Sequence, residues 1–349
     1  MNRGLVKIQI FAFGREESVG KRGKEFLKFP KDGRCERKRR KIMKKTFHLC
    51  LSSKEEVMFR SEDDYRWAFN TCALALARTD SESLAYAHMS NHQHHVVRTF
   101  RPGKFMQSMR LSYTRHFNAK YGRRGPLGEG EFFCLEIEGI NHLLAALSYV
   151  KRNALHHGVA PTPFSYPYSS ANSIFSRERG LDCNETLLHR RHYHRFVGRN
   201  VEVPEHYRMT ESGLFMPADV LDVRQVEHIF VTPRSFLYYM NRLSGEEWIR
   251  EQTEDPGGNP PITVDTIEEG TALTTAEMLL RNEKGRADYQ KMTDMRLCSE
   301  IDGIVSRYFG VKYVYALSYS QRTELYKMVC ELYPIDDRQA RRGVAIDYQ

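Results

Sequence analysis

The order of elements predicts an α+β fold in which a split β-α-β, antiparallel sheet is followed by a bundle of helices. Three observations carry this. Between residues 45 and 158 the apolar pattern switches between period two and period 3.6 in the order β-α-β-β-α-β-α. Two of those strands are separated only by a Ser-Asn pair, which suits a turn or a bulge. From about residue 272 onward the pattern is helical throughout.

Each element has a local reason. TFHLCL (46–51) alternates as a short strand. DDYRWAFNTCALALA (63–77) is a helix whose acidic start suits the helix dipole. LAYAHM (84–89) and HQHHVV (92–97) are strands. PGKFMQSMRLSYTRHFNAKYG (102–122) opens with Pro, closes at Gly and carries an apolar stripe at 105, 106, 109, 113 and 117. GRRGPLGEG (122–130) is a basic, Gly-rich loop, and EFFCLEI (131–137) is a strand. INHLLAALSYVKRNALHHG (140–158) is a strong helix with Gly158 as its cap. This order is that of a ferredoxin-like sheet with helices on one face. After residue 170 the periodicity weakens, and DPGGNPP (255–261) reads as a linker. CSEIDGIVSRYFG, SQRTELYKMVCELYP and DDRQARRGVAI then give three helices, a helix-turn-helix-like bundle. The expected organisation is a basic arm (1–44), a sheet domain (45–175), a mixed extension (176–271) and a helical domain (272–349).

Composition narrows the class. The chain has 349 residues, with 53 Lys+Arg against 44 Asp+Glu and a net charge of +9. The first 45 residues hold 16 of those cations and 5 acids, so the excess belongs to the arm. Such an arm is a solvated tail or a phosphate contact. No run approaches the roughly 18 apolar residues of a membrane span, and the start lacks the pattern of a signal peptide. Seven cysteines, the closest pair 15 apart, form no CxxC knuckle and suggest no disulfide framework. The expectation is a cytoplasmic protein with reduced thiols and an anionic partner.

Two constellations carry chemistry. On a strand, His92 and His94 share a face with Cα atoms about 7 Å apart. Two imidazoles so placed can hold one divalent cation, or simply hydrogen-bond in a half-buried sheet. His95 falls on the opposite face, as does Gln93. His88 has the parity of His92 but lies about 13 Å away. On the helix, Tyr149 and Asn153 stand one turn apart on one face. Tyr149 is either a core-edge residue or a phenolate nucleophile beside a metal-bound phosphate, with the Asn153 amide oxygen as a ligand. Mg²⁺ or Mn²⁺ accepts imidazole, amide oxygen and phosphate together.

These residues resemble a known family. Met89-Ser90-Asn91-His92-Gln93-His94 is similar to the M-P-N-H-x-H strand of IS200-like, single-tyrosine HUH transposases. Tyr149 to Gly158 resembles their Y-I-x-x-N-P-V-x-x-G helix, Arg124-Gly125-Pro126-Leu127 their R-x-G-x-[LV] loop, and Tyr166-Pro167-Tyr168-Ser169-Ser170 their Y-P-W-S-S segment. The resemblance covers roughly residues 45–175, and the REP-associated branch, which often carries extra C-terminal helices, is the nearest in pattern. Gln93, Ser90 and Ala154 depart from the family pattern, where a large apolar residue and two prolines are usual. The resemblance implies a DNA transposase of a mobile element. It would cleave single-stranded DNA, with hairpin ends, through a covalent 5′-phosphotyrosine and carry out strand transfer. It implies His92, His94 and Asn153 as metal ligands, Tyr149 as nucleophile and a monomer or homodimer as the working form.

Grip on DNA is expected from Arg110, Arg115, Lys120, Arg123 and Arg124, interleaved with Tyr113, Phe117 and Tyr121, and from Arg338, Arg341 and Arg342 in the bundle. An ordinary amphipathic helix would instead use those aromatics as core. The alternative function is a catalytically inactive, domesticated DNA-binding regulator on the same fold. A hydrolase using water is a third, against which the pairing of Tyr149 with Asn153 speaks.

Overall fold

The computed structural model describes residues 11–12, 43–53, 56–157, 159–181, 185–241 and 292–346. Most of the basic arm, the 255–261 linker and the Gly158 cap lie outside the described residues. The long strands are β2 (Lys45–Ser52), β3 (Glu82–Met89), β4 (His92–Thr99) and β5 (Glu131–Ile137), and a two-residue strand, β1 (Phe11–Ala12), pairs with β5. The sheet order is β1-β5-β2-β4-β3, with every neighbouring pair antiparallel. Helix α1 (Glu62–Arg78) joins β2 to β3 across the intervening β4. Helix α2 (Pro102–Tyr121) joins β4 to β5 across β2. This is the split β-α-β arrangement expected from the sequence, and the expected elements fall within a few residues of these bounds.

Capping explains the helix limits. Ser61 and Asp64 form a capping box that starts α1. Pro102 opens α2, and Gly122 closes it at φ 66°, the left-handed conformation in which Gly pays no Cβ penalty. Helix α3 (Ile140–His156) starts after Gly139.

The expectation of helices on one face is corrected. Leu49 and Leu51 of β2 and Val97 of β4 pack with α1 and α2. Cys50, Val96, Phe133 and Leu135 form a second apolar face, and α3 covers it with Ala146, Leu147 and Val150. Both sides of the sheet alternate apolar residues, so both need a cover.

Residues 159–241, which gave no clear pattern, wrap both faces. The Tyr166–Ser170 segment lines the outer edge of β3: His88 N donates to Tyr168 O at 3.0 Å, and the Tyr166 hydroxyl donates to His88 O at 2.6 Å. Turns α4 (His194–Val197) and α5 (Pro217–Val220) lie in a stretch whose Tyr193, Tyr207 and Phe215 join the α1 side. Helices α6 (Val223–Phe230) and α7 (Pro233–Asn241) add Val226, Phe230 and Phe236 to the α3 side.

Helices α8 (Asp294–Phe309), α9 (Tyr319–Leu332) and α10 (Asp337–Val344) form a cluster with its own core, including Leu297, Ile301, Leu325, Val329 and Val344. It meets the sheet body at polar contacts. Ser90 Oγ donates to Asp294 Oδ2 at 2.6 Å, and Arg60 reaches both Asp302 Oδ1 (2.8 Å) and Gly343 O (3.1 Å). Among the described residues, no helix is long and apolar enough to cross a membrane.

Candidate active site

The site is assembled from β2, β4 and α3 on one side of the sheet. Met89 pairs with His92 across a two-residue Ser90-Asn91 turn, so β4 begins at the first histidine. His92 and His94 both project toward α3, with ring centroids 5.1 Å apart. Tyr149 packs edge-on to His94, at 5.3 Å between centroids, and to His48, at 5.9 Å. Asn153 Oδ1 lies 3.1 Å from His92 Nε2. The structure thus brings Tyr149, Asn153, His92 and His94 together, all at most 6% exposed.

His48 is a member that sequence reasoning missed. Its Nε2 is hydrogen-bonded to His94 Nδ1 at 3.0 Å, while His94 Nε2 faces Cys50 Sγ at 4.0 Å. Alternation in TFHLCL puts His48 and Cys50 on one strand face, but only the sheet register sets that face beside His94. Residue His157, at the end of α3, also lies against His92, with centroids 5.4 Å apart.

The opposite-face expectations hold for His95 and Gln93. His95 Nδ1 accepts from the Cys72 thiol at 3.6 Å, and its Nε2 donates to Gln93 Oε1 at 3.2 Å. His88 differs: it pairs with Gln93, so it too faces α1 and α2, against Phe59 and Tyr86. The two-residue turn reverses parity, which counting along the chain overlooks.

Burial sets the charge state. Desolvation pushes the His48 imidazole down to about 3. It pushes His92 down to about 4, opposed by the Asn153 hydrogen bond and aided by the positive charge of Arg342. His94 falls well below its usual range for the same reason, helped by the neighbouring imidazoles. All three are therefore neutral near pH 7 with one lone pair each, and the His48–His94 hydrogen bond uses one of these.

The His92 lone pair fits a cation. Both neighbours of the His92 ring are carbonyl oxygens, Asn91 Oδ1 at 2.9 Å from Nδ1 and Asn153 Oδ1 at 3.1 Å from Nε2. A neutral ring donates only once. With Nδ1–H on Asn91, the Nε2 lone pair and the Asn153 oxygen face each other. Their separation matches that of adjacent ligands around a hard cation, about 3 Å for octahedral ligand distances near 2.1 Å. A second candidate, Asp63, Asp64 and His116, has donor atoms within 4.8 Å of one another. It lies on the α1–α2 side, and the Lys120 ammonium already sits there, 2.9 Å from Asp63 and 2.7 Å from Asp64.

The expected DNA-gripping cations divide into two groups. Arg110 is 7% exposed and donates to the carbonyls of Leu127 (3.0 Å) and Gly128 (2.9 Å), so it shapes the 122–130 loop. Arg123 pairs with Glu56 and donates to Pro126 O at 2.9 Å. Lys120 is held as described, and Arg342 is 2% exposed. These four are turned inward because carbonyls, carboxylates and the helix cluster claim them. Arg115, Arg124 and Arg338 are exposed, and Arg341 pairs with Asp337 at 2.9 Å. Tyr113, Phe117 and Tyr121 are core residues, at most 3% exposed, so they offer bases no stacking face.

Lys151 was also missed. It is fully buried, its Nζ donates to Ser170 Oγ at 2.9 Å, and desolvation pushes its pKa down to about 7. It ties α3 to the Tyr166–Ser170 segment.

No family model and no curated protein matches the chain. Among solved structures, the chain is similar to a REP-associated tyrosine transposase bound to a REP hairpin. The match has 14% identity, covers 46% of this chain and 88% of that one, and has a TM-score of 0.33.

Proposed function

We propose that the protein is a DNA transposase of the single-tyrosine HUH type, which cuts single-stranded DNA and transfers the strand through a covalent tyrosine. The observation that supports this best is the meeting of Tyr149 with His94, and of Asn153 with His92, in one buried cluster. Tyr149 is the nucleophile. Its oxygen forms a bond to the scissile phosphorus as the bond to the 3′ oxygen breaks, and the phenol proton is lost as the 3′-hydroxyl is formed. The phosphotyrosine keeps the phosphodiester's energy, so rejoining needs no ATP.

His92, His94 and Asn153 are the residues that would hold Mg²⁺ or Mn²⁺, which supplies Lewis-acid charge at the scissile phosphate. His48 fixes the His94 ring through its hydrogen bond. Arg115, Arg124 and Arg338, which are exposed, would meet the strand's phosphates.

The test is to incubate hairpin-bearing single-stranded DNA with Mn²⁺ and the wild type or Tyr149→Phe, followed by denaturing gels. The wild type should form a DNA–protein adduct, and Tyr149→Phe should form none while still binding DNA. An adduct that persists in Tyr149→Phe assigns the nucleophile elsewhere and sinks the proposal.

A further inference from the structure

A cavity of 580 Å³ lies between the 122–130 loop and the C-terminal helices, and none of its lining residues belongs to the Tyr149 cluster. Arg123 and Arg124 line one wall, Tyr315, Tyr319 and Arg322 the other, and Glu56 the floor. That volume falls within the roughly 300–1,000 Å³ of small-molecule sites.

The chemistry of the walls selects the occupant. Glu56 is already matched: the Arg123 guanidinium pairs with it, with Nε at 2.8 Å from Oε2, and the Tyr315 hydroxyl donates to it at 3.5 Å. This leaves Arg124 and Arg322 as uncompensated positive charge. Arg124 is exposed, and its side chain has no hydrogen-bond or ion-pair partner among the described residues. Arg322 is anchored by carbonyls, Ala345 O at 3.1 Å and Tyr315 O at 3.3 Å, while its buried Nε has no hydrogen-bond partner among the described residues. Beside these cations, Tyr319 is 55% exposed as the first residue of α9. Two cations and a partly exposed aromatic residue suit a ligand with both an anionic group and a flat face.

Position favours a strand over a free molecule. On one wall, Glu129 N of the arginine loop donates to Ser52 O at 2.7 Å, and Ser52 pairs with His92. On the other wall, Ala345 closes α10, whose Gln339 donates to Asp294 Oδ1 at 2.9 Å, and Asp294 accepts from Ser90, two residues before His92. Both walls therefore run from the strand end that carries His92.

We infer that this cavity binds one nucleotide of the single strand, its base stacked on Tyr319 and its phosphate on Arg124 and Arg322. The inference rests on the strand-transferase reading and assigns it a base-reading pocket. It also explains why the C-terminal helices are placed against the arginine loop: the helices supply the ring and Arg322, and the loop supplies the second cation, Arg124.

The test is fluorescence anisotropy of labelled single-stranded DNA in EDTA, so that binding is read without cleavage. Tyr319→Ala should weaken binding about 5- to 150-fold, the range for one stacked base, and Tyr319→Phe should restore it. Arg124→Gln should flatten the salt dependence by about 0.7 in log–log slope, one phosphate's share. A scan with single abasic nucleotides should find one position that reproduces the Tyr319→Ala loss and adds nothing in that variant. Tyr319→Ala binding like the wild type, or abasic losses that simply add to it, would overturn the pocket. Deoxynucleoside monophosphates that bind through Tyr319 when the strand does not would assign it to a free nucleotide instead. A wild type that forms the Tyr149 adduct while Tyr319→Ala binds normally would remove only the pocket. A wild type that binds no single strand would remove both readings.

Discussion

Arg60 is the joint between the sheet body and the C-terminal helices, and its removal should be felt in both. Its side chain is 1% exposed, and Nη2 meets Asp302 Oδ1 at 2.8 Å. Nη1 donates to Gly343 O at 3.1 Å, and the guanidinium carbon lies 5.7 Å and 5.5 Å from the Tyr121 and Tyr315 ring centroids. Burial raises the Asp302 carboxyl pKa, and Arg60 opposes that rise. Arg60→Met keeps most of the volume and removes the charge. Breaking a buried pair costs about 3–5 kcal/mol, because the survivor stays desolvated. Asp302 keeps 24% of its side chain in solvent and can partly rehydrate. The expected cost is therefore about 2–3 kcal/mol. Asp302→Asn keeps a hydrogen-bond acceptor and should cost about 1–2 kcal/mol. The assay is urea unfolding of the wild type, both single variants and the double variant, read as a double-mutant cycle. The double variant should lose about 1–2 kcal/mol less than the sum of the singles. A coupling below about 0.5 kcal/mol would refute the claim that this pair holds the helices in place.

Asn153→Ala should weaken Mn²⁺ binding by calorimetry and slow adduct formation without abolishing it, while His92→Ala should remove metal-dependent cleavage and leave most DNA affinity; normal cleavage by both would refute the ligand assignment. His88, on the other face, should govern acid stability. Its imidazole is buried with Nε2 lacking a hydrogen-bond partner among the described residues, and burial pushes its pKa from 6.5 down to about 3. Above pH 6.5 neither the folded nor the unfolded chain protonates it, so it contributes no pH dependence. As pH falls from 6.5 toward 3, the unfolded chain takes up a proton that the folded chain refuses, and stability drops by about 1.4 kcal/mol per pH unit. His88→Phe should therefore lose about 2 kcal/mol less than the wild type between pH 6.5 and 5.0 in urea unfolding; equal losses would show that His88 titrates normally in the folded protein.

The parts of the site legible in the sequence are those written at short range. His92 and His94 are two apart on a strand, and Tyr149 and Asn153 four apart on a helix, so local periodicity alone puts each pair on one face. Bringing the two pairs together needs the whole sheet, yet the element order already limits where α3 can lie. His88 and His48 show where this reading stops. The face of His88 depends on one two-residue turn, and the place of His48 on the β2–β4 register, Cys50 opposite His94. Neither is a property of a single segment.

The cations were legible as charge but not as use. A run such as DDRQARRGV reads as a solvated helix end, and Arg338 and Arg341 behave that way. Arg342 does not, and the reason lies one residue on. A Cβ at Gly343 would stand 2.7 Å from Ile301 Cδ1 and 3.2 Å from Leu297 Cδ2, so glycine lets α10 press this closely on α8 without displacing the Ile301 side chain. The same close approach presents the Gly343 carbonyl to Arg60 and carries Arg342 inward until its charge is felt by His92. Whether an arginine faces water or the interior is thus decided here by the absence of a neighbouring side chain and by a helix some 40 residues away in sequence. A charge count weighs neither, which is why the sequence raised an anionic partner only as an expectation and left the placement of individual arginines to the structure.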